Sequence, residues 1–219
     1  MKSVMKKMTV ICFDMDDTLY KEIDFVESAY REIAESEKRP DLLPKMMGWQ
    51  KNGDNVFLKF NKAIGKETII PHYLTLYRSH YPTISLSDGV EETLNELKHR
   101  GITLGLITDG RSISQRNKIK ALGLDRWFDN ENIIVSDETQ SEKTEEPNFR
   151  YFVKKYRGAE FTYVGDNPKK DFIVPNRLGW KTVMLKDDGR NIHKQEAVPM
   201  ENLPQITITG IDELLDFIK

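Results

Sequence analysis

Val10-Ile11-Cys12-Phe13-Asp14-Met15-Asp16-Asp17-Thr18-Leu19-Tyr20 begins as an apolar run and breaks into three carboxylates within four residues, followed by a hydroxyl. The apolar part reads as a buried strand. Carboxylates a few ångströms apart repel and raise each other's pKa, so this crowding at the mouth of a strand does nothing for a fold by itself. It makes sense if a hard divalent cation neutralises the cluster and one carboxylate serves as a nucleophile.

From residue 84 onward, strand and helix patterns alternate. Asp88 with Glu91 has the form of a capping box, followed by Val90, Leu94 and Leu97 at helical spacing and a stop at Gly101. Residues 102–107 read as a strand. Ser112 with Gln115 repeats the capping pattern ahead of Ile119 and Leu122. Further strands are expected at Ile133–Val135, 161–164, Lys181–Leu185 and Ile206–Ile208. Helices are expected at 148–156, 170–178 (shortened or bent by Pro175) and 212–218. Strands alternating with helices imply an α/β fold: a doubly wound parallel sheet, Rossmann-like, with right-handed crossovers. Ligands in such folds collect at the carboxyl ends of the strands.

Residues 21–82 break that rhythm. Phe25, Ala29 and Ile33 recur at helical spacing, as do Phe57, Phe60 and Ile64, and then Ile70, Tyr73 and Tyr77, with Pro40, Pro44, Gly48 and Gly53 as punctuation. The expected organisation is a core built from 1–20 and 83–219 and a small all-helical insert at 21–82. The aromatic residues of the insert are expected to form its own core.

Two more strands end in chemistry. Leu104-Gly105-Leu106-Ile107-Thr108-Asp109-Gly110 ends in a hydroxyl, and Phe161-Thr162-Tyr163-Val164-Gly165-Asp166 ends in an acid with Asp171 five residues on. Between them Lys143 lies in the polar stretch Ser141-Glu142-Lys143-Thr144. Acid pair, threonine, lysine, acid pair, in that order and over nearly the whole chain, resembles the haloacid dehalogenase superfamily of phosphotransferases.

The resemblance implies roles for these positions. Asp14 would be the nucleophile, forming an aspartyl-phosphate. Asp16 would be the general acid and base, its main-chain carbonyl facing the metal. Thr108, and beside it Asp109 where many members carry asparagine, would meet the phosphoryl group. Lys143 would neutralise the nucleophile, although Thr144 replaces the usual proline after it, leaving Lys154 and Lys155 as alternatives. Asp14, Asp16, Asp166 and Asp171 would hold Mg²⁺. Asp171 is expected one helical turn into the following helix, acting through water or by orienting the other ligands. The helical insert would be a cap over the site. Because dehalogenating members lack the second aspartate of the first motif, Asp16 points to phosphoryl transfer. Asp17 and Thr18 are expected to cap the turn that follows.

Composition sets the outer limits. The chain has 219 residues with 38% hydrophobic and 31% charged, a net charge of −2 and a pI of about 6.1. Nothing here suggests a nucleic-acid binder, which would show a basic face. No apolar run approaches the ~20 residues that span a bilayer. The basic start, Met1 to Lys7, leads directly into the first strand, and Cys12 is the only cysteine. A cytoplasmic protein with Cys12 as a core residue is expected. His72, His80, His99 and His193 lack ligand spacing, and His193 alone sits in a polar loop after a strand.

The expected activity is therefore a Mg²⁺-dependent phosphatase acting on a small phosphorylated metabolite, a sugar phosphate or nucleoside monophosphate. A phosphosugar mutase of the same superfamily and a non-catalytic binding module on the same scaffold are the alternatives.

Overall fold

The computed structural model describes residues 7–67 and 70–218. Most of the basic start of the chain, residues 1–6, lies outside them. Strand β1 (Thr9–Phe13) is central, pairing in parallel with β2 (Thr103–Thr108) on one side and β4 (Glu160–Gly165) on the other. The strands β3 (Ile133–Val135), β5 (Lys181–Leu185) and β6 (Ile206–Ile208) complete a parallel sheet of order β3-β2-β1-β4-β5-β6. The chain thus winds outward from β1 in both directions. Its switch point lies where β1, β2 and β4 end side by side, with Phe13 in register with both Leu106 and Val164.

Alternation along β1 explains its unbroken apolar run. Ile11 and Phe13 enter one core cluster with Leu94 and Leu97 of α5 (Val90–His99), whereas Val10 and Cys12 enter the other with Phe149 and Phe152 of α8 (Pro147–Lys155). Side chains alternate across a strand, so a sheet covered on both faces needs apolar residues at every position.

Between β1 and β2 run α1 (Glu22–Ser36), α2 (Leu43–Lys51), α3 (Val56–Ile64) and α4 (Ile70–Ser79), with no strand among the described residues. They enclose a separate cluster that includes Ile33, Met46, Phe60 and Tyr73. Phe25 is the exception: it turns toward the main core, edge-on to Tyr77 and tilted against the His80 ring.

Several helix starts differ from expectation. Asp88 does not cap α5; Gly89 precedes the helix in the left-handed conformation, φ 74°. Helix α6 (Ser112–Ala121) has no side-chain cap: Arg111 takes the N-cap position, the Ser112 hydroxyl donates to Glu138 at 2.6 Å, and Gln115 turns inward to the site described below. After β4 the chain makes a turn before the short α9 (Ile173–Arg177), so Asp171 stands in the turn and not on a helix. Its carboxylate accepts the main-chain N–H groups of Asp166 and Asn167 at 3.1 and 2.8 Å, which fixes that turn and uses up the residues expected to open the helix. The one-turn helices α7 (Ser136–Thr139) and α10 (Leu214–Phe217) complete the fold.

Candidate active site

The site forms where β1, β2 and β4 end. The N–H of Asp14 donates to the carbonyl of Val164 at 2.8 Å, carrying the sheet ladder one residue past the strand and fixing the nucleophile candidate against β4. The Asp14 carboxylate meets Lys143 Nζ at 2.6 Å, and the same ammonium reaches Asp171 at 2.8 Å. All three side chains are buried. Asp166 joins them: one oxygen each of Asp14, Asp166 and Asp171 lie within 4.8 Å of one another. Gly165 is what allows this closeness, since a Cβ there would fall 2.5 Å from Asp171 Oδ2.

Three buried carboxylates face a single buried ammonium, so with all three ionised the cluster has two negative charges in excess. Burial pushes Asp14 up to about 8 against the opposing pull of Lys143. Burial, aided by the charges of Asp171 and Asp14, pushes Asp166 up to about 9. For Lys143, burial disfavours the charge, but Asp14 and Asp171 more than reverse this and hold it well above the ordinary lysine range. An excess of two charges, with oxygen donors only, is what a magnesium-type cation would balance. A prediction follows for the metal-free chain. Asp14 and Asp166 keep protons in the folded state that they lose in the unfolded state, so stability falls as pH rises from about 4, the unfolded carboxylate value, toward about 9. Thermal melting across that range should show the decline, and saturating Mg²⁺ should flatten it.

The side of the site next to β2 is built by β2 and α6. Thr108 Oγ1 lies 2.5 Å from Gln115 Nε2 and accepts from it, which leaves the hydroxyl proton free to donate. Asp109 is adjacent, but its carboxylate turns away: Oδ1 accepts the N–H of Lys143 at 3.1 Å and Oδ2 faces Lys170 at 3.7 Å. In this orientation it fixes the loop that carries the lysine. Of the alternative lysines, Lys154 is exposed and Lys155 pairs with Glu131 at 2.9 Å, so Lys143 is the lysine brought to the acids. Pro147 opens α8 three residues later than a Lys-Pro pair would place it, and Phe149 packs on Tyr163 and Trp180 beneath the site.

Asp16 is held on both oxygens. Oδ1 accepts from Lys118 Nζ at 2.7 Å and from the Tyr20 hydroxyl; Oδ2 accepts from Gln115 Nε2 at 2.9 Å. Burial would raise its pKa, but Lys118, Tyr20 and Gln115 together outweigh it and hold the carboxyl below its usual range. Asp17 braces the turn after β1, accepting the N–H groups of Glu22 and Ile192 at 2.9 and 3.0 Å.

Sequence reasoning missed Gln115, Lys118 and Asn191. Asn191 donates to Asp166 Oδ2 at 2.9 Å and accepts from Lys21 at 3.0 Å, linking the third acid to the start of the helical insert. A signal for the first two existed: Gln115, Lys118 and Leu122 share one face of α6, so two polar residues occupy the apolar register of a helix. The histidines stay outside the acid cluster; His80 is buried beside Phe25 and His193 is exposed.

This geometry agrees with the relationships of the chain. The family described as haloacid dehalogenase-like hydrolase matches residues 11–185. The chain belongs to the haloacid dehalogenase-like hydrolases. Within that family it is 32% identical to a glyceraldehyde 3-phosphate phosphatase of Methanocaldococcus jannaschii, over 95% of this chain and 96% of the relative. It is 23% identical to a ribulose-1,5-bisphosphate 5-phosphatase of Halopiger xanaduensis, over 96% and 99%. The fold superposes on the HAD-hydrolase YfnB from Bacillus subtilis, solved bound to magnesium, with a TM-score of 0.73 at 21% identity, covering 97% of this chain and 99% of that one. The acid cluster of the present chain fits the divalent cation that such hydrolases use. Asp14, Asp166 and Asp171, with one oxygen each within 4.8 Å of one another, would hold it. No described helix is long and apolar enough to cross a membrane.

Proposed function

We propose that the protein is a Mg²⁺-dependent phosphatase that removes the phosphoryl group from a small sugar phosphate through an aspartyl-phosphate on Asp14. The observation that carries this reading is the placement of a buried lysine 2.6 Å from Asp14 and 2.8 Å from Asp171, inside a cluster with an excess of two negative charges. A structural ion pair would have balanced its charges.

In the first half-reaction an Asp14 oxygen bonds to phosphorus as the bond to the leaving oxygen breaks, and Asp16 delivers a proton to that oxygen. In the second, water bonds to phosphorus, the Asp14–phosphorus bond breaks, and Asp16 takes the water proton. Asp16 rests as a carboxylate, the form the second half requires. A phosphate dianion brought beside it disfavours that charge and favours the protonated form needed for the first half. Lys143 offsets the negative charge of Asp14 as the dianion approaches, and Thr108 donates to a phosphoryl oxygen. A bound Mg²⁺ would supply the remaining positive charge. The glyceraldehyde 3-phosphate and ribulose-1,5-bisphosphate phosphatases among the relatives support a phosphorylated metabolite of few carbons, its phosphoryl group passing to water and not to a second sugar hydroxyl. The helices of residues 21–82 act as a cap that encloses the leaving group. Lone, buried Cys12 suits a reducing, cytoplasmic setting.

Asp16→Ala tests the assignment. An alkoxide needs a proton as it departs, whereas a nitrophenolate leaves largely unaided, so the single-turnover rate of Asp14 phosphorylation should fall by roughly 10²–10⁴-fold for an alkyl phosphate and only slightly for 4-nitrophenyl phosphate. Equal losses on both esters would remove Asp16 from the acid role.

A further inference from the structure

Among the polar side chains of helix α6, Ser114, Gln115, Asn117 and Lys118 reach back to the elements beneath it. Ser114 Oγ donates to the carbonyl of Arg78 at 2.8 Å, and Asn117 Nδ2 donates to those of Ser79 and His80, each at 3.0 Å. These two seat the end of α4 on the core. The other two, Gln115 and Lys118, turn to Asp16. Lys118 is only 3% exposed, which is unusual for a helix lysine and costly unless its charge is matched. Its ammonium lies 2.7 Å from Asp16 Oδ1, 4.0 Å from Glu22, and 4.2 Å from the centre of the Phe25 ring, the last two being residues of α1. Gln115 Nε2 spans Asp16 Oδ2 and Thr108 Oγ1.

We propose that Lys118 is a positioning residue for Asp16, and that with Gln115 it ties the aim of this carboxyl to the seating of the α1–α4 helices on the core. The proposal rests on the acid–base role of Asp16 given above. The geometry carries it. An aspartate carboxyl left alone rotates about its own bonds; here the donors on α6 and Tyr20 fix both of its oxygens. Gln115 sets its place relative to the phosphate-facing hydroxyl. Lys118 sets its place relative to α1, because the same ammonium contacts both Asp16 and the face of the Phe25 ring. A shift of α1 away from the core therefore removes one wall of the Lys118 site and loosens the aim of Asp16. Misplacement of a reacting group by about 1 Å can cost about 10²-fold in rate.

The test is a double-mutant cycle on the full chain with saturating Mg²⁺. Asp16→Ala, Lys118→Met and the pair are compared in single turnover on glycerol 3-phosphate and on 4-nitrophenyl phosphate. Lys118→Met should lose roughly 10²-fold on the alkyl ester, far less on the aryl ester, with little change in KM. It should add almost nothing to the loss already caused by Asp16→Ala, and Lys118→Arg should recover part of the alkyl rate. Equal losses on the two esters, or a further full loss on top of Asp16→Ala, would overturn the proposal. Should Lys118→Met fail to fold, Lys118→Gln carries the same comparison. If Asp16→Ala itself shows no ester preference, the acid role and this inference fall together. If Asp16→Ala shows it and the Lys118 variants do not, only the inference falls.

Discussion

Asp14→Asn is expected to leave a folded protein that no longer turns over phosphate esters. Asparagine keeps the shape of the side chain and removes the attacking oxygen anion. Loss of a nucleophile that works as part of a unit costs roughly 10⁴-fold or more in kcat/KM, which at 1.36 kcal/mol per decade is about 5.4 kcal/mol of transition-state stabilisation. Stability should move the other way. Burial pushes Asp14 up to about 8, so at higher pH, where it ionises, the folded metal-free chain carries an unfavourable buried charge. Asparagine relieves it, and Lys143 keeps Asp171 as a partner. Near pH 9 and without metal, the variant should melt no lower than the wild type. Activity assays and thermal melting on one preparation check both halves; full activity in a folded variant contradicts the nucleophile assignment.

Lys143→Met should have the largest effect on stability. The substitution keeps an unbranched side chain one atom shorter and deletes the only ammonium in contact with Asp14 and Asp171 among the described residues. Removing one partner of a buried pair strands the other charge, typically at about 3–5 kcal/mol, which for a chain of this size lowers the melting temperature by roughly 10 °C. The penalty should shrink toward about pH 5, where the carboxyls that burial raises bind protons and cease to be charged. Melting curves of the two proteins at both pH values give the comparison. Activity should be lost at either pH. A variant as stable as the wild type at pH 9 would mean that Lys143 does not hold the acids together.

Much of this was legible in the sequence because the signal was local. An apolar strand ending in acids or a hydroxyl places its last residues at the carboxyl edge of a parallel sheet, and Asp14, Thr108 and Asp166 are found there. Lys143 was harder, because the proline that usually follows the lysine is displaced to Pro147; only its contacts with Asp14 and Asp171 separate it from Lys154 and Lys155. Asp171 reads as helical from the sequence, since the turn that brings its carboxylate to the N–H groups of Asp166 and Asn167 leaves no trace in the periodicity. Gln115 fitted a capping pattern equally well, and the contact that redirects it comes from Asp16, 99 residues earlier in the chain. Lys118 left only the weak trace of a polar residue in the apolar register of α6, and Asn191 left none: a lysine on a helix and an asparagine in a polar loop look solvated until the tertiary fold brings Phe25 to the first and Asp166 to the second.

The most direct measurement captures the covalent intermediate. In Asp16→Ala the aryl ester can still transfer its phosphoryl group, since nitrophenolate needs no proton, but the base for water attack is missing, so the intermediate should accumulate. The variant is mixed with 4-nitrophenyl phosphate and Mg²⁺, quenched in acid within the first turnover, reduced with borohydride and digested for mass spectrometry. The account predicts a burst of nitrophenolate equal to the enzyme present and homoserine in place of Asp14. Nitrophenolate and inorganic phosphate released together, with Asp14 unmodified, would contradict it.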